Sequence, residues 1–153
     1  MGIAYAQPPL IQILSNTKAP YNIGTPTAHL ALSALSPSAI TAMRQKISTL
    51  ISSRDFLASA LASPELTDLG IGKPIGAPNA NFLVVPILNR SSRKPDNVRT
   101  EKVYKELAEK CGVVVRFRGR EPGCEGCVRV TIGSERENRE FVERLSEVLR
   151  KIE

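Results

Sequence analysis

The stretch from Ser36 to Pro64 constrains this chain more than any other. Ile40, Met43, Ile47, Leu50, Ile51, Leu57 and Leu61 recur at the three- and four-residue spacing that gathers side chains along one side of an α-helix. Ser36 offers a hydroxyl to the free N–H groups of the first turn. Pro37 follows at a position where its missing N–H costs nothing, and Pro64 stops the run. A stripe this long predicts that the helix buries one face.

The segments around it complete an alternating order. Upstream, Gly2-Ile-Ala-Tyr-Ala6 reads as a short strand and Leu10 to Leu14 as a brief apolar segment. Ala19-Pro20 is extended chain, and Thr25-Pro26 starts a helix with Thr25 as the capping residue. Downstream, the glycines and prolines of 70–80 make a loop. Phe82 to Leu88 is a strand whose Pro86 points to an edge or a bulge. A helix over 97–111 carries Val103, Leu107 and Cys111, with Gly112 placed to cap it. Strands over 113–118 and 127–132 follow, and Ser134-Glu-Arg-Glu137 is a capping box ahead of an amphipathic final helix. The order from residue 37 is helix, strand, helix, strand, strand, helix, which predicts an α/β fold with a small, partly antiparallel sheet covered by helices.

Charge narrows the functional classes. Twenty-one basic and fifteen acidic side chains leave a net charge of +6, and the second part of the chain is dense in both signs. Mixed charge with 5% aromatics describes solvated helix faces better than a nucleic-acid stripe. Three cysteines, an odd number, without a signal-peptide pattern or an apolar run of about 18 residues, lead to the expectation of a cytoplasmic chain that engages neither nucleic acid nor membrane.

Most motif-like constellations have plain readings. Cys124-Glu-Gly-Cys127 has zinc or redox spacing, but Cys111 and His29 do not supply a second pair, so it reads as a loop cysteine and a strand-start cysteine. Gly70-Ile-Gly72-Lys73 lacks the Ser or Thr of a phosphate loop and precedes a strand. Ser15-Asn-Thr-Lys18 mimics a serine-nucleophile motif without its companions, and Lys18 reads as a solvated lysine ending a short helix. The arginines are more informative. Arg116 and Arg118 share a strand face, with Arg120 just beyond, and Arg129 interrupts the apolar Val128-Arg-Val-Thr-Ile132. A guanidinium there needs an anion, either a structural glutamate or a bound carboxylate or phosphate, which its planar fork grips through two bonds.

Three segments resemble the C-terminal part of the histidinol-phosphate aminotransferases, members of the fold-type I, class I/II enzymes dependent on pyridoxal phosphate. They are Lys18-Ala-Pro-Tyr-Asn-Ile-Gly-Thr-Pro-Thr27, Ala80-Asn-Phe-Leu-Val-Val85, and Gly112-Val-Val-Val-Arg-Phe-Arg118 through Gly126-Cys-Val-Arg-Val-Thr-Ile-Gly133. The resemblance implies that 37–153 is the small C-terminal α/β domain and that 1–36 is a remnant of the large, cofactor-binding domain. Arg129 matches the arginine that grips the donor carboxylate, which also meets the phosphate of histidinol phosphate, and Arg116 matches a second arginine near that phosphate. Tyr21 and Asn22 fall near the family's homodimer interface, without a catalytic role. Arg118 and Arg120 have no firm counterpart.

The family's reaction exchanges an amino group between histidinol phosphate and 2-oxoglutarate, giving imidazole acetol phosphate and glutamate. Its Schiff-base lysine and the aspartate on the pyridine nitrogen belong to segments upstream of those matched here. The expectation is therefore of a chain with no catalytic or cofactor-binding residue of its own, which binds no pyridoxal phosphate covalently and does not transaminate alone. A non-catalytic anion-binding or interaction domain of aminotransferase descent is the competing reading, and a fragment of another class I/II aminotransferase is the third.

Overall fold

The computed structural model describes residues 2–152. Its chain divides into two compact units, Met1–Ile47 and Ser48–Glu153, with the division inside the long helix.

The first unit holds α1 (Pro8–Thr17), α2 (Thr25–Ala34) and the start of α3 (Pro37–Leu61). Proline stands in the first turn of α1 and α2, where an N–H would have no partner. In α2 the cap is Gly24, and Thr25 is already helical, one residue earlier than expected. Pro26 is still within the first turn, so its missing N–H remains harmless. Ser36 does cap α3, its Oγ accepting from the Ala39 N–H at 3.4 Å. Gly2 to Ala6 forms no strand, against expectation. An apolar segment becomes a strand only by pairing its backbone, and no described residue pairs with it. The α3 stripe is also covered less than its sequence predicts. Leu57 and Leu61 are buried in the core, whereas Met43, Ile47, Leu50 and Ile51 remain 41–46% exposed.

The second unit carries α4 (Pro64–Asp68), β1 (Phe82–Pro86), α5 (Asn97–Lys110), β2 (Arg116–Phe117), β3 (Cys127–Thr131) and α6 (Glu135–Lys151). Pro64 opens α4 as well as lying beyond α3, with Ser63 as its cap. The sheet order is β1-β3-β2, antiparallel at both junctions, so no parallel pair is present among the described residues. Pro86 closes the edge strand β1 opposite Cys127. The expected strand over 113–118 shrinks to two residues. Gly112, at φ +67, turns the chain out of α5, and the Val113 N–H is spent on the Leu107 carbonyl, so pairing begins only at Arg116. Serine 134 and Glu137 form the predicted capping box: Glu137 N–H donates to Ser134 Oγ, and Ser134 N–H donates to the Glu137 carboxylate at 2.7 Å.

Leu83 and Val85 of β1 and Val128 and Val130 of β3 enter one core with Val103 and Leu107 of α5 and Phe141, Leu145, Val148 and Leu149 of α6. Each such side chain contributes roughly 1.5–3 kcal/mol on burial. Arg99, four residues before Val103, is 1% exposed. Its guanidinium donates to the carbonyls of Leu88 (2.6 Å), Leu69 (2.9 Å), Ile152 (3.1 Å) and Leu149 (3.4 Å), tying α5 to the ends of α4, β1 and α6. Burial pushes its pKa below the ordinary arginine value, with a smaller push from Arg90. Among the described residues no helix is long and apolar enough to cross a membrane.

Candidate functional site

Strand alternation builds the site. Leu83, Val85, Val128 and Val130 point into the core, so Phe82, Val84, Arg129 and Arg116 occupy the opposite face of the sheet. Register then does what alternation alone cannot. Arg116 of β2 lies directly opposite Arg129 of β3, and Val84 of β1 lies opposite Arg129 on its other side. The two arginines singled out from the sequence are thus a cross-strand pair at the middle of the sheet.

Like charges directly opposite one another are unfavourable. Among the described residues neither Arg116 nor Arg129 has a carboxylate within ion-pair distance, and the structural glutamate considered as an alternative is absent. Arg129 Nε is buried without a hydrogen-bond partner. Its guanidinium carbon sits over the Phe82 ring, 5.2 Å from the centroid. The arrangement is a half-buried, forked cation with an aromatic floor and a second cation beside it, chemistry suited to a planar carboxylate or a phosphate.

The other arginines separate from this pair. Arg118 forms an ion pair with Glu121 while its N–H donates to the Cys127 carbonyl at 2.9 Å. Arg120 is exposed in the turn that follows. Cys127 opens β3 as a buried free thiol, and burial, reinforced by Cys124, pushes its pKa up to about 11. Lys18 caps the C-terminus of α1 in solvent, and His29 lies on α2. Tyr21 is fully exposed and held at φ 52. Among the described residues no three His, Cys, Asp or Glu side chains gather as a metal site requires.

A recess of about 470 Å³ lies elsewhere, between Gly112–Val115, the end of β3 and the start of α6. It contains neither arginine of the pair. Its buried polar side chain, Asn138, is already committed to both backbone groups of Gly133, at 3.0 and 3.1 Å. Its charged lining is of both signs, Arg136 with Glu137 and Glu140, whereas the sheet face gathers two cations.

Phe82 was not visible as a site residue in the sequence. Its place beneath Arg129 depends on β1 pairing with β3 in a register that sets Phe82 opposite Thr131, two residues along from Arg129. Asn97 was missed as well. Its side chain donates to the Gly119 carbonyl at 2.9 Å and accepts from the Gly126 N–H at 2.7 Å, fixing both ends of the connection between β2 and β3.

Comparison with known proteins adds a family context. The family described as aminotransferase class I and II matches residues 1–145. A histidinol-phosphate aminotransferase of Schizosaccharomyces pombe is 42% identical over 139 residues, covering 90% of this chain and 35% of its own length. Its namesake in Saccharomyces cerevisiae is 36% identical over 152 residues, covering 99% of this chain and 37% of its own length. The crystal structure of histidinol-phosphate aminotransferase from Sinorhizobium meliloti in complex with pyridoxal-5'-phosphate superposes with a TM-score of 0.70 at 18% identity, over 94% of this chain and 35% of that one. This last likeness is one of fold, a partial fold-type I domain. The chain spans about a third of the length of the curated relatives it matches.

Proposed function

Since the chain belongs to the aminotransferase class I and II family, we propose that it is the part of a histidinol-phosphate aminotransferase that grips the anionic group of the substrate, with Arg129 and Arg116 as the gripping residues. The observation that carries this reading is the cross-strand Arg116–Arg129 pair, with no carboxylate within ion-pair distance of either among the described residues. The names of the yeast relatives support the substrate class. In this reading the parent reaction moves an amino group between histidinol phosphate and 2-oxoglutarate in histidine biosynthesis, in the cytoplasm. One forked site takes the phosphate of histidinol phosphate in one half-reaction and a carboxylate of glutamate in the other, and fixed placement of that anion orients the rest of the substrate.

Residues 1–36 in this reading are a remnant of the large domain and 37–153 the small one. The exposed apolar side chains of α1 and α2, with Tyr21 beside them, fit a homodimeric parent in which that surface is covered.

The residues present do not fit pyridoxal phosphate as a resident group. All eight lysines of the chain are exposed, and none lies on a strand of the arginine-bearing sheet. No step is therefore assigned to the cofactor on this chain, and the chain alone is not expected to transaminate. That same observation favours a second reading, a non-catalytic anion-binding domain of aminotransferase descent.

Calorimetric titration of histidinol phosphate into the chain tests the arginine assignment. Saturable binding is expected, weakened in Arg116→Ala and reduced by about 10- to 150-fold in Arg129→Ala, the value of a hydrogen bond to a charged group. Equal affinity in wild type and both variants would overturn it. Glutamate release from the same mixture with pyridoxal phosphate and 2-oxoglutarate would show a complete catalytic centre in the chain alone, against this proposal.

A further inference from the structure

We propose that Phe82 is the positioning residue of the anion site, holding the Arg129 guanidinium in the orientation that receives the ligand. This rests on the reading of Arg116 and Arg129 given above. Three observations lead to it. The Arg129 guanidinium lies 5.2 Å from the centroid of the Phe82 ring, within the range of an attractive contact between a cation and the face of an aromatic ring. Phe82 reaches it diagonally from β1, since Phe82 is opposite Thr131 and Val84 opposite Arg129. Arg116 stands opposite Arg129 from β2, on the other side.

Arg129 is thus pulled toward one edge strand by an aromatic face and pushed from the other by a like charge. A free arginine in that position would swing away from Arg116 into solvent. The ring opposes this by covering one side of the guanidinium plane, and the burial of Nε confirms that the side chain is laid down along the sheet rather than extended into water. An incoming anion then meets a cation already ordered beside Arg116, and the entropy of ordering a long side chain is not lost at the binding step. Val84, directly opposite Arg129, offers neither charge nor a π-face and cannot substitute for the ring.

The position also accounts for a residue type. Phe82 begins β1 on the half-exposed face, while the core-facing positions of that strand are Leu83 and Val85. An aromatic ring there is not needed to fill the core. It is needed if a guanidinium lies against it.

The test uses the full chain, inorganic phosphate as probe, and three variants: Phe82→Leu, Phe82→Tyr and Arg129→Ala. Two quantities are read for each, phosphate affinity by calorimetry and the chemical shift of the Arg129 Nε–H by NMR, which a ring above the guanidinium displaces upfield. Phe82→Leu keeps an apolar side chain but removes the π-face. It is expected to weaken phosphate binding about two- to tenfold, the cost of re-ordering one long side chain, and to abolish the upfield shift. Phe82→Tyr keeps the ring and is expected to retain both, a rescue that a merely space-filling role would not distinguish from leucine.

Wild-type affinity in Phe82→Leu, with Arg129→Ala unable to bind, would overturn the role of Phe82 while leaving the arginine site intact. Failure of the wild-type chain itself to bind phosphate would overturn the arginine site, and with it this inference. If Phe82→Leu does not fold, Phe82→Tyr decides: loss of affinity with the ring retained would count against a role exercised through the π-face.

Discussion

Replacing Arg99 by methionine should cost the second unit about 3 kcal/mol, and the sign is not obvious without working through the contacts. The guanidinium is 1% exposed and donates to four backbone carbonyls, three of them at 3.1 Å or less. Hydrogen bonds from a charged donor contribute about 1.5–3 kcal/mol each. Three good ones therefore amount to roughly 4–9 kcal/mol, set against a desolvation cost of several kcal/mol for the buried cation. Two of the acceptors, Leu149 and Ile152, lie at the end of α6, where a positive charge also meets the negative end of the helix dipole. Methionine keeps an unbranched apolar stem but ends short of the guanidinium, and it leaves the carbonyls of Leu69 and Leu88 unpaired in the interior. Urea unfolding followed by circular dichroism measures the loss, and thermal melting should show a drop of roughly 10 °C. Arg99→Lys keeps the charge but cannot reach carbonyls spread in a plane around a fork, and should fall between methionine and wild type. A loss below about 1 kcal/mol for Arg99→Met would instead show that desolvation of the cation cancels its bonds to the carbonyls.

Three further outcomes follow from the same contacts. Cys127 holds its proton up to about pH 11 when folded, against 9.0 for an ordinary thiol. Between those values the unfolded chain releases a proton that the folded chain keeps. Cys127 should therefore contribute a fall in stability of about 2–3 kcal/mol with rising pH across the window, read as the difference between wild type and Cys127→Ala when both are unfolded in urea at pH 8 and pH 11. Ser134→Ala should cost about 1 kcal/mol through loss of the α6 cap, read from the urea midpoint. NMR titration should also show the Glu137 carboxyl, now held low chiefly by the Ser134 hydroxyl, moving back toward its ordinary value. Pyridoxal phosphate added to the chain should give no saturable absorbance change from a single lysine, since every lysine is exposed; one-to-one modification at one site would show that an amine has been misjudged.

The helical parts of the second unit were legible because their signals are local. Ser134 and Glu137 lie three residues apart, and Gly112 follows directly on the stripe it ends, so neither needs knowledge of distant neighbours. Gly2 to Ala6 and 113–118 were overread as strands because an apolar run does not say whether a pairing partner exists. For the candidate site, period-two alternation joined Arg116 to Arg118, and Arg129 stood out as a charge inside an apolar strand; only register could place Arg116 opposite Arg129 and bring Phe82 beneath it. Arg99 carried a readable signal that charge obscured. It continues the Val103 and Leu107 stripe one turn earlier, and a cation at an apolar helical position implies buried acceptors.

In the proposed function Arg116 and Arg129 form an anion site in which the two cations repel across the strands until an anion binds. Urea unfolding in rising inorganic phosphate at fixed ionic strength tests it most directly, with the Arg116→Gln/Arg129→Gln double variant alongside and ionic strength held constant so that screening does not mimic binding. The wild-type chain should gain stability continuously with phosphate, by about 2.7 kcal/mol at one hundred times the dissociation constant. The double variant should start higher by roughly 0.2–1 kcal/mol, the worth of a cross-strand pair, and not respond to phosphate. Equal phosphate dependence in the two proteins would contradict this role for the two arginines.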